Sequence, residues 1–464
     1  MDLRSRLRRT AVKRPAVLLA VLPGATELRL QVESELRRRG WDIADAPATA
    51  NVLLVCGSPF ADADRQLDAV QRTMPHSAVR VVVSRPGHAA QALDAGLARL
   101  QTGGAAQFDA TSGHGDAGDV ADQSPPGGGS APAGHEHEHE HEHEHEHEHE
   151  HEHKDKHEHE HEHEHVHEHA GHHPPGQPDI EEEGHTEHNA HGGHDHAHMM
   201  STVAGLPMAD RADDRDGLRL DQLRLPIGPL LTDWPTGLIL HCALQGDIVQ
   251  EVRVDRLPSP PDSTSFWNEP WLRASRGEPV TLGAGARRRC AAHLDSLGRL
   301  LALAGWADPA ARLRRLRDEV LAGAPAAHCS ERLQALVGRI QRSRTLRWSL
   351  AGLGRLPAER ARQWEVTGPA LVADGDVHDR LLVWLGEADR AARDFDDVRL
   401  MQAGQLMGPR GTVGGTGHPS QALLDVLPEL LTGVEFTCAR LVVASLDPDL
   451  DEPVAVPVLG GAHV

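Results

Sequence analysis

The sequence predicts a multidomain chain in three regions. These are a small α/β domain over residues 15–103, a disordered His/Glu-rich linker over 104–215, and a mainly helical domain with a small β part over 216–464. Three observations predict this. In the first region, short Val/Leu runs alternate with amphipathic helical segments, the pattern of strands buried on both faces of a parallel sheet. The middle region is built of Gly, Ser, Pro, His and Glu, a composition that cannot bury enough apolar surface to fold. The third opens with two strand-like runs and continues at helical spacing.

The elements follow in order. AVLLAVLP (16–23) reads as a buried strand. ATELRLQVESELRRRG (25–40) is an amphipathic helix, with Leu28, Val32 and Leu36 four apart and Gly40 as its stop signal. ANVLLVCGS (50–58) and AVRVVVS (78–84) are further strands, and ADRQLDAVQRTMP (63–75) and AAQALDAGLARL (89–100) further helices. In the third region, GLILHCAL (237–244) and DIVQEVRVD (247–255) are strand-like. Helical runs follow at 286–306, 309–323, 330–344 and 376–402, the first with Cys290, Leu294, Leu297 and Leu301 near helical spacing. ALLDVLPELLTG (422–433) is helical, and ARLVVASLD (439–447) strand-like. The basic cluster RLRRLRDE (312–319) reads as an exposed helix face with intrahelical partners.

The net charge of −22 is mostly local. Residues 131–200 hold 21 acidic residues against Lys154 and Lys156, so −19 sits there and the folded regions are near neutral. A nucleic-acid-binding role has no support on that balance. Aromatic residues make up 3% and tyrosine is absent, so the cores rest on Leu, Val and Ala with eight tryptophans as anchors. The five cysteines, Cys56, Cys242, Cys290, Cys329 and Cys438, form no CxxC pair and read as buried thiols of a reducing compartment. The N-terminal stretch resembles an export signal, but its apolar run is short, and a buried first strand explains it. No run approaches the roughly 18 apolar residues of a membrane span. The expected location is cytoplasmic, peripheral to the membrane through a partner complex.

The candidate metal ligands are the histidines of the alternating tract: His135, His137, His139, His141, His143, His145, His147, His149, His151, His153, His157, His159, His161, His163, His165, His167, His169, His172 and His173. Neutral imidazole is a good ligand for Zn²⁺, Ni²⁺ and Cu²⁺. In an extended chain, alternation puts histidines on one face about 6.5–7 Å apart, with glutamates opposite. Two to four histidines can then wrap an ion at interchangeable sites, and the expected ions are Ni²⁺ or Zn²⁺. The bland alternative is a solvated spacer made by codon-repeat slippage.

Five segments of the third region, in order, resemble the large-subunit family shared by respiratory complex I (NADH:quinone oxidoreductase, or NADH dehydrogenase) and the nickel–iron hydrogenases. LPIGPLLTDWPTGLILHCALQGDIVQEVRVD (225–255) resembles the opening hairpin of that family. Thr367, Gly368 and Pro369 resemble its TGP motif; Gly375, Asp376, Asp379, Arg380 and Glu387 resemble its GDxYDR helix. Gly408 to Gly411 resembles its APRG turn, and residues 418–447, ending at Asp447, its terminal helix and loop. Residues 49–84 more loosely resemble the flavodoxin-like small subunit of the same complexes. The implied folds are thus flavodoxin-like first and hydrogenase large-subunit-like third.

The chemistry implied by the resemblance lacks its residues. The small subunit's iron–sulfur cluster needs four cysteines, and the first region has only Cys56. The nickel–iron centre needs two CxxC pairs. The quinone site implies a hairpin His and a Tyr; Asp233 and Trp234 occupy the turn, and Tyr is absent. No iron–sulfur cluster and no nickel–iron centre are therefore expected, and Asp376, Asp379 and Glu387 read as salt-bridging carboxylates. The Gly-rich TVGGTG (412–417) reads as a mobile loop. The expected function is a non-catalytic accessory, assembly or structural component of a redox complex, with complex I-like or hydrogenase-like subunits and divalent metal ions as partners. The alternatives are a nickel or zinc storage or delivery protein and, more weakly, an oxidoreductase subunit completed by partner chains.

Overall fold

The computed structural model describes residues 14–102, 108–109, 202–203, 206–213, 219–260, 263–402, 404, 407–413 and 418–452. The His/Glu tract and residues 414–417 of the Gly-rich loop lie outside the described residues.

The first lobe is a parallel sheet. Strands β1 (Val17–Val21), β2 (Val52–Cys56) and β3 (Val79–Val83) run side by side, with Val17 opposite Val52 and Val52 opposite Val79. A two-residue β4 (Phe108–Asp109) pairs with β3. On the other side of β1, Ile43 forms a parallel bridge with Val17, and Val17 N–H donates to Asp42 O at 2.9 Å. The chain therefore goes from β1 to one side, then crosses back to β2 on the other. The order reverses between β1 and β2, as in the flavodoxin-like arrangement that the resemblance implies. Residues alternate between faces. Val17, Leu54 and Val81 pack with Leu28, Val32 and Leu36 of α1 (Thr26–Arg39) and Leu93 of α3 (Ala89–Thr102). Leu18, Leu53 and Val82 meet Ala63 and Leu67 of α2 (Ala61–Arg72). Gly40 ends α1 in the left-handed region, as its position predicts.

The second lobe starts with an antiparallel sheet, β5 (Thr202–Val203), β6 (Leu206–Asp213), β7 (Arg219–Ile227), β8 (Leu238–Gln245) and β9 (Ile248–Arg256), in that order. Its pairing begins at Thr202, upstream of residue 216. Helices follow: α4 (Glu269–Ser275), α5 (Leu282–Leu303), α6 (Ala307–Leu321), α7 (Ala326–Gln341), α8 (Arg344–Leu350), α9 (Ala358–Gln363), α10 (Pro369–Ala373), α11 (Val377–Arg393), α12 (Pro419–Leu431) and α13 (Phe436–Leu446). Helix α5 is the hub. Every residue from Cys290 to Gly298 is buried, as expected of a helix enclosed on all sides. Its neighbours include α6, α11 and α13. Among the described residues no helix is long and apolar enough to cross a membrane.

Two expectations are corrected. Residues 439–447 are not a strand: residues 439–446 lie in α13, which Asp447 caps, and Val442 and Val443 are fully buried there, so packing overrides β-propensity. The cluster at 312–319 is not simply an exposed face. Arg312 and Arg315 are exposed, but Arg317 on the opposite side of α6 is 0% exposed.

Candidate functional site: the seam between the lobes

Both lobes belong to one compact unit, and their seam is charged. Helix α1 places Arg29, Glu33 and Arg37 at four-residue intervals, hence along one stripe. Facing them are Asp295 and Arg299 of α5 and Arg314, Arg317 and Asp318 of α6. Arg29 holds Asp295 with both terminal nitrogens, at 2.7 and 3.1 Å, and Glu33 at 2.7 Å. Arg299 reaches Asp295 at 2.7 Å and Asp447 at 3.1 Å. Arg317 donates to Asp295, lies 2.9 Å from Glu33 Oε2 and 2.8 Å from Asp318, and Arg37 donates to Asp318. Burial alone would raise the Asp295 carboxyl; the guanidiniums of Arg29, Arg299 and Arg317 outweigh it and hold it well below the usual range. Glu33 is lowered likewise, chiefly by Arg29 and Arg317 against burial.

A second contact joins the lobes at the sheet's reversal point. There a helix N-terminus and a tight turn offer free N–H groups to an anion. Asp451 fills that place, accepting from Gly24 N–H and from the Thr26 hydroxyl, both at 2.6 Å. The neighbouring Asp449 accepts from the Ser265 hydroxyl at 2.5 Å, and Glu452 from Asn268 Nδ2 at 2.8 Å and Ser420 N–H at 3.0 Å. Burial, and then the carboxylates of Asp451 and Glu452, push the Asp449 carboxyl up to about 8.

An interlobe cavity of about 460 Å³ adjoins the network, walled by Leu19, Val21 and Ile43 on one side and Asp233, Trp234 and Arg314 on the other. The hairpin turn singled out in the sequence thus lines it. Asp233 takes positive φ there and accepts from Arg314, while Trp234 Nε1–H donates to Leu238 O at 2.8 Å. Burial, opposed by Arg314, raises the Asp233 carboxyl.

The other motif residues pack the fold. Thr367 Oγ1 accepts from Thr412 N–H at 3.1 Å. A Cβ on Gly368, whose φ is 68°, would lie 2.7 Å from Arg410 O, and one on Gly411 2.1 Å from Thr367 Oγ1. The TGP and GPRG segments therefore meet backbone to backbone. From there Arg410 reaches Asp447, donating through Nε to its carbonyl at 2.7 Å. Asp376 and Asp379 form a capping box on α11. Arg380, 1% exposed, donates to Gly354 O, Gly375 O and Ser445 Oγ, and burial lowers it to about 10. Glu387 accepts from buried His293 at 2.9 Å; burial favours the neutral ring.

All five cysteines are free thiols. Burial pushes Cys56 and Cys290 up strongly and Cys242 to about 11. Cluster iron takes thiolate ligands, and Cys56 is the first lobe's only thiol, protonated inside β2. This donor set does not fit a four-cysteine cluster. Among the described residues, no group of three or more His, Cys, Asp or Glu is arranged to hold a metal ion. The proposed ligands from His135 to His173 lie outside them. Sequence reasoning missed Arg29, Glu33, Asp295 and Arg317. The available signal was a charge on an otherwise apolar helix face, such as Asp295 between Leu294 and Leu297.

No protein-family model and no curated protein matches the sequence. Among solved structures, a chain of the membrane-bound sulfane sulfur reductase, an archaeal respiratory membrane complex, is similar at a TM-score of 0.39 and 14% identity, over 50% of this chain and 98% of that one. A likeness of this degree carries no argument about activity.

Proposed function

We propose that the chain is a non-catalytic relative of paired complex I-type and hydrogenase-type subunits, with both partners fused, acting as an accessory, assembly or structural component of a redox complex. The observation supporting this is how the resembled positions divide. Thr367–Pro369, Gly375–Arg380, Gly408–Gly411 and Asp447 serve packing, capping and the buried ion pairs. The positions that would carry chemistry, paired cysteines and the His and Tyr donors, hold other residues. Complex I-like or hydrogenase-like subunits are the partners this reading expects. The His–Glu tract supports a second, compatible reading, in which Ni²⁺ or Zn²⁺ is stored or delivered through His135 to His173.

Affinity purification of the intact chain from its native host, with metal analysis of the eluate, tests this. Co-purifying complex I-like or hydrogenase-like subunits are the expected result. Stoichiometric metal with no redox partner would sink the first reading and leave the second.

A further inference from the structure

One stretch of the surface carries positive charge that the fold does not use. Between Glu331 and Glu359 the chain holds six arginines and no Asp or Glu. Two of the six are occupied: Arg332 lies 2.7 Å from Glu319 and Arg339 2.8 Å from Asp308. The other four, Arg342, Arg344, Arg347 and Arg355, are exposed, and their guanidiniums take no partner among the described residues. The arginines of the seam, by contrast, each hold at least one carboxylate.

Helix α8 gathers these charges around an exposed ring. Ser343 caps it, accepting from Leu346 N–H at 3.1 Å. Leu346 and Leu350, four apart, are 0% exposed and fix one side of α8 in the core. Arg344, Arg347 and Trp348, at three- and four-residue spacing, share the opposite side. Trp348 is 85% exposed, the most exposed large hydrophobic residue among those described. Arg342 stands just before the helix, its guanidinium lying back along α7, where a Cβ on Gly338 would be 3.1 Å from Nη1.

The chemistry of this face selects its partner. Guanidinium forks match phosphate oxygens. The exposed neighbours of Trp348 on α8 are Arg344, Thr345, Arg347 and Ser349, so the ring is surrounded by polar groups and not by the dry apolar core of a protein interface. Single-stranded nucleic acid is held in a basic groove, and neither large cavity is walled by these residues. A tryptophan among arginines suits the boundary layer of a bilayer, where the ring sits at headgroup level and the cations reach lipid phosphates.

We propose that the outward face of α8, with Arg342, Arg344, Arg347 and Trp348, docks on an anionic phospholipid surface. The guanidiniums meet lipid phosphates and the indole rests among the headgroups, so the chain lies on the bilayer without crossing it. Arg355 adds to the same field. The proposal does not depend on the function proposed above.

Co-sedimentation of the intact chain with vesicles tests it. The protein should bind phosphatidylcholine vesicles carrying about one-third phosphatidylglycerol, leave them as salt rises, and ignore pure phosphatidylcholine. Arg342→Ala, Arg344→Ala and Arg347→Ala together should weaken binding about a hundredfold, at about fivefold for each arginine. The same three positions changed to Lys keep their charge and should stay within about fivefold of the parent. Trp348→Ala should weaken binding about tenfold, through lost burial of the ring. All four side chains are exposed, so these variants keep the fold. Equal binding of the parent and the triple Ala variant, or no preference for the anionic vesicle, would overturn the proposal. So would capture of a single-stranded oligonucleotide more tightly than the anionic vesicle at the same salt, which would assign the face to nucleic acid.

Discussion

Asp295 shows how much one carboxylate does here. It is 0% exposed and faces Arg29, Arg299 and Arg317, which come from three helices and both lobes. Removing one member of a buried network leaves the others charged and unpaired, which costs more than the intact pair contributes. Asp295→Asn keeps the shape but leaves three crowded guanidiniums. It should destabilise the protein by about 3–5 kcal/mol in denaturant unfolding, whereas exposed Asp308→Asn, whose partners Arg312 and Arg339 are solvated, should leave the unfolding midpoint nearly unchanged. The pH dependence has two limbs. Asp295 and Glu33 have lowered carboxyls, so their contribution is present above the unfolded value near 4 and is lost as pH falls through the folded values. Asp449 is raised to about 8, so the folded state binds its proton more tightly and stability declines between about 4 and 8. Asp449→Asn cannot ionise and should flatten that decline; an unaltered slope in thermal melts from pH 5 to 8 would contradict the assignment.

At the scale of elements, the motif loops act as joints. Gly368 takes positive φ and leaves no room for a Cβ against Arg410 and Gly411. Gly368→Ala should therefore cost about 2 kcal/mol or more, from backbone strain plus steric overlap. A loss under about 0.5 kcal/mol would mean that the two loops part easily. The strands and most helices were legible in the sequence, because Val/Leu runs and four-residue spacing report burial directly. The misread α13 was not, because Val442–Val443 favours strand locally and only packing in the helical core decides otherwise. The bridge at Ile43 was also hidden, since one residue pairing beside β1 leaves no periodic trace.

In the molecule as a whole, an α/β lobe and a mainly helical lobe share one buried seam, and the resembled motifs support the second lobe at Asp447. The seam itself was invisible in sequence. Arg29 and Asp295 are 266 positions apart, and Gly24 and Asp451 are 427 apart, so no local pattern announces them. Taken alone, the cluster at 312–319 looked solvated because the partners of Arg317 include Glu33, from the other lobe. The absent cysteine pairs, by contrast, were plain from spacing alone. The proposed function assigns partner binding to the folded lobes and Ni²⁺ or Zn²⁺ binding to the His/Glu tract. The most direct measurement compares the intact chain with one lacking residues 135–173, both purified from the native host. The account predicts that redox partner subunits are retained in equal yield while bound Ni²⁺ or Zn²⁺ is lost. Loss of the partners together with the tract would contradict it.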